Sequence, residues 1–167
     1  MRDQILDAMG IQQWLLKKNA CSLLVSDNPL FCAACLVLLP GNPSLNLEHN
    51  KILTGMLNVL SLKAEELCIA WVEGVLMRDK TQTIGQKIAK WSPYSVLIMG
   101  ENFAQQLLET DRSLDELRLD FQSITGSNTL VQATYHPEAL LHSKELKSKA
   151  YRDLLRLRDQ ISSVRFE

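Results

Sequence analysis

The chain has 167 residues, of which 46% are apolar and 22% charged, and its formal net charge is -1. This balance is typical of a globular protein with a buried core, and it excludes an intrinsically disordered chain. The length is that of one domain with a short appendage. A nearly neutral chain has no broad positive field for unspecific binding to phosphate backbones, so any contact with DNA would be local or indirect.

The cysteines and the apolar runs indicate the compartment. All four cysteines lie in or beside apolar runs, which is typical of reduced, buried thiols: Cys21, Cys32, Cys35 and Cys68. The longest apolar run, Leu30 to Leu39, is about half of the length that a bilayer requires. The first residues contain neither a long apolar core nor a small-residue cleavage site. We therefore expect a cytoplasmic protein without a membrane span.

The chain opens with an amphipathic stretch, "ILDAMGIQQWLLKK". Its apolar residues recur at intervals of three and four, which predicts a short helical segment interrupted at Gly10: Ile5, Met9, Ile11, Trp14 and Leu15. A first helix of a compact domain could bury these side chains, and so could another protein. Two apolar runs follow, divided by the turn signal Asp27-Asn28-Pro29, and the second run predicts a strand buried on both faces.

Helices and strands alternate from there to the end of the chain. Apolar runs predict strands over 67–72, 95–99 and 129–136. Helical spacing predicts helices over 48–60, from near Thr81 or Thr83 to Pro93, over 103–109 with Asn102 as the cap, and over 146–161. The polar segment 110–126 contains "DELRLDF", which predicts a strand or a turn near an edge. This alternation predicts a three-layer α/β domain with a central, mostly parallel sheet.

The pair Cys32 and Cys35 has the spacing of a redox or metal motif. In a strand, however, residues three apart point to opposite faces, so the two sulfurs cannot share one ion. The apolar flanks also lack the electropositive surroundings of reactive thiols. We therefore predict core packing for this pair, no metal site and no cofactor.

A glycine at the end of the strand 95–99 is a second candidate site. In "MGEN", Gly100 lies between strand and helix, where backbone N–H groups can bind a phosphate. Neither GxGxxG nor a Walker pattern is present. Tight packing of the turn is the interpretation that we favour.

The last helix carries charges of both signs. Its basic residues are Lys144, Lys147, Lys149, Arg152, Arg156 and Arg158, and they alternate with Glu145, Asp153 and Asp159. Such alternation is typical of a solvated face. A modest patch that faces DNA or an acidic partner is the alternative interpretation.

The motif "TYHPEAL" places a histidine at the end of the last predicted strand. His136, followed by Pro137, lies where open α/β sheets bind their ligands, at the carboxyl end of a parallel strand. It could donate a hydrogen bond to a leaving group. A partly buried histidine that caps the next turn is the structural alternative.

From Cys35 to about Ile161 the order of motifs resembles the uracil-DNA glycosylase superfamily, especially its iron–sulfur branch. The strand and helix "SVLIMGENFAQQLL" precede "TYHPEALLHSKELKSKAYRDL", as they do in that branch. The resemblance implies a uracil-DNA-glycosylase-like fold. It also implies a vestigial pocket formed by Pro40, Gly41, Asn42, Pro43, His136 and Pro137.

The catalytic motif of that superfamily is degraded in this chain. Where the family has GEAPG, this sequence reads "PGNPS", so the acidic residue is absent, and the nearest carboxylate downstream is Glu48. Cleavage of an N-glycosidic bond needs an activated water and stabilisation of the departing base, and one of the two groups is missing. The cysteines also lack the two separated pairs that hold a cluster. We expect no catalytic residues.

A second resemblance concerns the amino terminus. "LDAMGIQQWLLKK" is similar to the start of the psi subunit of bacterial DNA polymerase III, in which a GI-x-QW core and a basic pair recur. Psi subunits are small, non-catalytic α/β proteins. The resemblance divides the chain into a docking segment, 1–19, and a psi-like α/β domain, 20–167. The residues implied for partner binding are Gly10, Ile11, Gln13, Trp14, Leu15 and Leu16.

The psi resemblance implies protein partners in DNA replication. In that family the amino-terminal segment docks on the clamp-loader ATPase, the gamma/tau subunits, and the α/β body binds the chi subunit. Chi in turn binds single-stranded-DNA-binding protein. The leading hypothesis is therefore a connector without an active site.

Two alternatives remain open from the sequence. One is a divergent uracil-DNA glycosylase that uses His136. The other makes Ile5 to Leu16 an ordinary first helix of the domain, with Trp14 buried in the isolated monomer.

Overall fold

The computed structural model describes residues 20–22, 34–41, 47–63, 66–72, 78–124 and 127–165. The strands are β1 Ala20–Ser22, β2 Cys35–Pro40, β3 Leu67–Val72, β4 Ser95–Met99, β5 Gln122–Ser123 and β6 Leu130–Thr134. The helices are α1 Leu47–Val59, α2 Arg78–Trp91, α3 Glu101–Leu107, α4 Leu114–Leu117, α5 Pro137–Leu140 and α6 Lys144–Arg165. This is the predicted α/β fold, with a mostly parallel sheet flanked by helices.

The strands form one sheet in the order β1-β3-β2-β4-β6-β5. The first five of these run parallel, and β5 pairs antiparallel with β6 at the edge. The chain moves in one direction across the sheet from β2 to β3 and in the other from β3 to β4 to β6. With right-handed crossovers, α1 and α2 therefore lie on opposite faces of the sheet.

The core lies around the central strands. Residues 35–39 of β2 are wholly buried, and β3 and β4 are buried along their full lengths. A parallel strand covered by helices on both faces needs apolar side chains at every position, which is why these strands appear as continuous apolar runs in the sequence. The prediction for 67–72 is confirmed at both ends.

One predicted strand lies partly outside the described residues, and the start of one predicted helix differs from the structure. The strand predicted from Leu30 is seen from Cys35 to Pro40, and 30–33 lie outside the described residues. The helix expected to begin at Thr81 or Thr83 begins at Arg78, so neither threonine caps it. Its first residues are polar, and apolar spacing gives no signal in a polar first turn.

The predicted cap of α3 is also wrong. The helix begins at Glu101 with Gly100 as the N-cap residue, so Asn102 lies within the first turn. Gly100 has a φ of 108°, a conformation that residues with a Cβ rarely adopt. A Cβ there would make only ordinary contacts, at 3.9 Å from Pro40 and His136. Backbone conformation, and not tight packing, is therefore the reason for this glycine.

The segment "DELRLDF" forms a helical turn followed by an edge strand. Ser113 caps α4, since its hydroxyl accepts the Glu116 N–H at 3.4 Å. The edge position was predicted correctly, but the strand β5 begins one residue after the motif ends. The predicted amino-terminal helical segment, residues 1–19, lies outside the described residues, so the division at residue 20 stays a prediction.

A buried ion pair joins the segment after α4 to α6. The Arg118 guanidinium donates to both carboxylate oxygens of Asp153, from Nε at 2.8 Å and from Nη2 at 3.1 Å. The Thr134 hydroxyl donates to Oδ2 of the same carboxylate at 2.9 Å. Burial raises the pKa of Asp153, while the hydrogen bonds from Arg118 and Thr134 act in the opposite direction. Arg118, Thr134 and Asp153 thus link the segment before the edge strand β5 to β6 and to α6.

Among the described residues, no helix is long and apolar enough to cross a membrane.

Replacing Arg118 by alanine should destabilise the protein strongly. The variant leaves the buried Asp153 carboxylate without its hydrogen-bonded cation, with Arg156 still 3.9 Å away, which costs about 3 kcal/mol of unfolding free energy. Urea unfolding at neutral pH measures the loss. The control is Arg112→Ala, which breaks the exposed pair of Arg112 with Glu116 at 3.6 Å and should cost less than about 1 kcal/mol. Equal losses in the two variants would contradict the prediction.

Candidate functional site

A cavity of about 270 Å³ lies at the carboxyl ends of the parallel strands. It is lined by the end of β2, by Trp71 of β3, by the first half of α1 and by the start of α5. The connections from β2 and β4 leave in opposite directions across the sheet, so this edge contains the topological switch point. Open α/β sheets bind their ligands at such a point.

The structure brings four of the six predicted pocket residues together. Pro40, Gly41, His136 and Pro137 all line the cavity. Asn42 and Pro43 lie outside the described residues, as do all the predicted partner-binding residues of the segment 1–19.

Backbone hydrogen bonds hold the strand ends that carry these residues. The Gly41 N–H donates to the Val72 carbonyl at 2.7 Å, and the Gly100 N–H donates to the Thr134 carbonyl at 2.9 Å. Both glycines have a positive φ, 90° and 108°. The chain therefore turns sharply at the ends of β2 and β4, beside His136.

His136 is the N-cap residue of α5. Its Nδ1 accepts the Glu138 N–H at 3.1 Å, so the proton of the neutral imidazole is on Nε2. Burial lowers the pKa of His136 below its ordinary value of 6.5; the carboxylate of Glu138 opposes this shift and His49 adds to it. The structural interpretation of this histidine, a cap for the next turn, is confirmed. The arrangement also leaves Nε2–H as a possible donor.

Tyr135, the residue before His136, is held by a hydrogen bond and by a cation–π contact. Its hydroxyl donates to Oδ1 of Asp115 at 2.5 Å, and the Arg118 guanidinium lies 5.1 Å from its ring centroid. Burial and the bond to Asp115 raise the pKa of Tyr135 to about 12. The residue before His136 is therefore held by α4 and its neighbour Arg118.

Five lining residues were missed by the sequence analysis. His49, Asn50 and Leu53 come from the first half of α1, Trp71 from β3, and Glu138 from α5. Trp71 is 6% exposed, and its indole N–H has no hydrogen-bond partner among the described residues. His49 and Asn50 follow β2 in sequence, but only the packing of α1 over the strand ends brings them to His136.

The described lining of the cavity contains few acidic residues. Glu138 is the one carboxylate among its described lining residues, and it is exposed. The stretch 41–47, which follows β2, contains no acidic residue in the sequence. The chain therefore offers no carboxylate between the end of β2 and Glu48.

The described residues contain no group of three or more histidine, cysteine, aspartate or glutamate side chains that could hold a metal ion. Cys35 and Cys68 are buried in β2 and β3, within the apolar core, while Cys32 lies outside the described residues. The packing prediction therefore agrees with the burial of Cys35.

Comparisons with known proteins leave the family open. The chain matches no protein-family model and no curated protein sequence. The grounds for a functional assignment are therefore the cavity geometry and the sequence motifs.

Replacing His136 by asparagine should separate its capping role from its titration. The pKa of His136 is lower in the folded state than the roughly 6.5 of the unfolded chain, so the unfolding free energy of the wild type falls as the pH drops below about 6.5. Asparagine keeps a cap acceptor and should lose that part of the fall. Alanine lacks the acceptor and should cost about 1 kcal/mol even at about pH 8.

Urea unfolding of the wild type and both variants at about pH 8 and about pH 5 tests this. An asparagine variant whose stability falls with acid as steeply as that of the wild type would contradict the assignment.

Proposed function

We propose that this protein is a psi-like accessory subunit of a bacterial replicative DNA polymerase. The segment 1–19 docks on the clamp-loader ATPase, and a uracil-DNA-glycosylase-like α/β body binds the chi subunit, which links it to single-stranded-DNA-binding protein. The protein has no active site of its own and acts in the cytoplasm. The observation that carries the proposal is the motif "GIQQW" ahead of a body whose glycosylase-like motif has lost its carboxylate.

The amino-terminal motif has the chemistry of a docking peptide. Burial of Trp14 and two or three aliphatic side chains at a partner contributes on the order of 5 kcal/mol before ordering costs. That is enough for specific docking and too little for independent folding. Aromatic anchors of this kind are typical hot spots of interfaces.

The cavity supports a non-catalytic body. Hydrolysis of an N-glycosidic bond needs a group that activates water in addition to a donor for the leaving base. His136 supplies a donor at Nε2, but its Nδ1 is used by the α5 cap. The chain after β2 has no carboxylate before Glu48, which lies in the first turn of α1. His136 can therefore donate to a leaving group, whereas the chain that follows β2 offers no carboxylate before Glu48 to activate water.

Substitution of Trp14 by alanine should abolish stable binding to the clamp loader. The change removes the largest apolar anchor of the docking motif while the chain keeps its full length. Size-exclusion co-elution with the clamp-loader ATPase of the same organism is the measurement, and loss of the segment 1–18 should have the same effect. Gln12→Ala, at the variable position of the motif, is the matched control and should co-elute like the wild type.

The proposal fails if the Trp14 variant and the chain without residues 1–18 both co-elute as tightly as the wild type. If the segment is instead an ordinary first helix, Trp14→Ala should lower the unfolding free energy of the isolated protein. Urea unfolding of the same variant therefore distinguishes the two outcomes.

A divergent uracil-DNA glycosylase is the second candidate function. It is favoured by one observation: His136, whose pKa is lowered by burial, lies in a cavity at the strand ends with Trp71. Because the chain has no carboxylate between β2 and Glu48, we expect no uracil release from a uracil-containing single strand. The assay compares the wild type with His136→Ala; release by the wild type that this substitution abolishes would establish the enzyme and displace the connector hypothesis.

A further inference from the structure

An apolar groove of about 220 Å³ runs between α1 and α6, away from the cavity at the strand ends. Met56 and Val59 of α1 and Ala150 and Leu154 of α6 contribute to its apolar lining. Tyr151 also lines it and is 51% exposed. The volume is below the roughly 300–1,000 Å³ of small-molecule pockets, so the groove suits anchoring side chains of a protein partner better than a bound metabolite.

A glycine in the middle of α1 opens one wall of the groove. Gly55 is exposed, and a Cβ built on it would meet no atom within 4 Å. Packing within the described part of the chain therefore gives no reason for glycine, which is the poorest helix former after proline. An external segment that approaches the backbone closely would give such a reason.

Positive charge lies on the groove side of α6. Lys147 lines the groove, and helical periodicity places Lys144 on the same side of the helix. Arg158 is on that side too, but its guanidinium pairs with Asp159 at 3.2 Å, so it adds little to the charge there. The acidic residues of α6 lie on its other sides: Glu145, Asp153 and Asp159. On α1, Lys51 is one turn before Gly55, and Glu48 is the one acidic residue of that helix, a turn before the groove begins. In a chain with a net charge of -1, this rim is locally positive.

We propose that this groove binds an amphipathic helix of a protein partner, with apolar anchors on one face and acidic residues on its flanks. An apolar groove between two helices is a common receptor for such a segment. An acidic flank matches the positive rim, which contributes specificity and association rate. Tyr151, at the mouth of the groove, is a residue type enriched among interface hot spots.

Charge disfavours the two nearest competing occupants. The chain's own amino-terminal apolar residues are followed by Lys17 and Lys18, a basic pair that does not complement Lys147. A second copy of the chain would place the same positive rim against itself in a two-fold interface. The proposal deepens the proposed function and rests on it for the statement that the α/β body has a protein partner. The surface and the partner's chemistry come from the groove.

The probe is a synthetic helical peptide of about 18 residues with leucines on one face and glutamates on the flanks. A second peptide has lysine in place of each glutamate. Fluorescence anisotropy with the full-length protein should show binding of the acidic peptide and at least about tenfold weaker binding of the basic one.

Two pairs of variants locate the binding. Gly55→Gln places a side chain over the groove and improves helix propensity, so it should fold and bind the acidic peptide about tenfold more weakly. Its control is Asn58→Gln, at an exposed position of the same helix. Lys147→Glu should weaken the acidic peptide and strengthen the basic one, whereas Arg152→Glu, the same charge change outside the groove side, should alter neither.

Each other outcome overturns the proposal. If Gly55→Gln binds the acidic peptide as tightly as the wild type, the groove is not the binding site. If Lys147→Glu and Arg152→Glu have equal effects, the rim of the groove does not select acidic flanks. Self-association of the wild type that Gly55→Gln abolishes assigns the groove to a second copy. Peptide binding that appears only in Trp14→Ala assigns it to the amino-terminal segment. Clamp-loader co-elution of the same variants tests the proposed function separately, because it depends on residues 1–19.

Discussion

Complete burial of β2 is the constraint on which the rest of the structure depends. Residues 35–39 have no solvent exposure, and they pair with β3 on one side and β4 on the other, both parallel. Such a strand must be covered on both faces, and parallel neighbours can be joined only by crossovers over those faces. The helices α1 and α6 come together for this reason, and the carboxyl ends of the strands meet at one edge.

Both candidate surfaces are consequences of that arrangement. The cavity lies where the strand ends and the start of α1 converge, and the groove lies where α1 and α6 meet. The cavity lies at the strand ends, and its histidine caps α5. The groove is the basis of our proposal that the body binds a protein partner.

The Arg118–Asp153 pair fixes the packing of the α/β body around the "TYHP" motif. It joins residues 35 positions apart in the sequence, and Thr134 of β6 donates to the same carboxylate. Arg118 also lies over the ring of Tyr135, the residue before His136. A buried charge needs its partner, so these segments hold one arrangement. The position of His136 thus depends on a contact with a helix that follows it in the chain.

Local patterns were sufficient for the fold class and for part of the site. Continuous apolar runs identified β3 and β4, because a strand buried on both faces has few polar positions; Ser95 of β4 is an exception. A histidine followed by proline after a strand made the α5 cap one of two interpretations of His136. Polar starts of helices escaped this reasoning: α2 begins at Arg78, and Gly100 caps α3 in place of Asn102.

The sequence by itself determined the alternation of strands and helices, the amino-terminal motif "GIQQW" and the absence of a carboxylate between β2 and Glu48, because these are properties of neighbouring residues. Only the tertiary structure decided that His49 and Trp71 share a cavity with His136, and that Gly55 and Lys147 border one groove. These residues come from different elements. Their proximity follows from the order of strands and the faces on which helices pack, which local spacing does not encode.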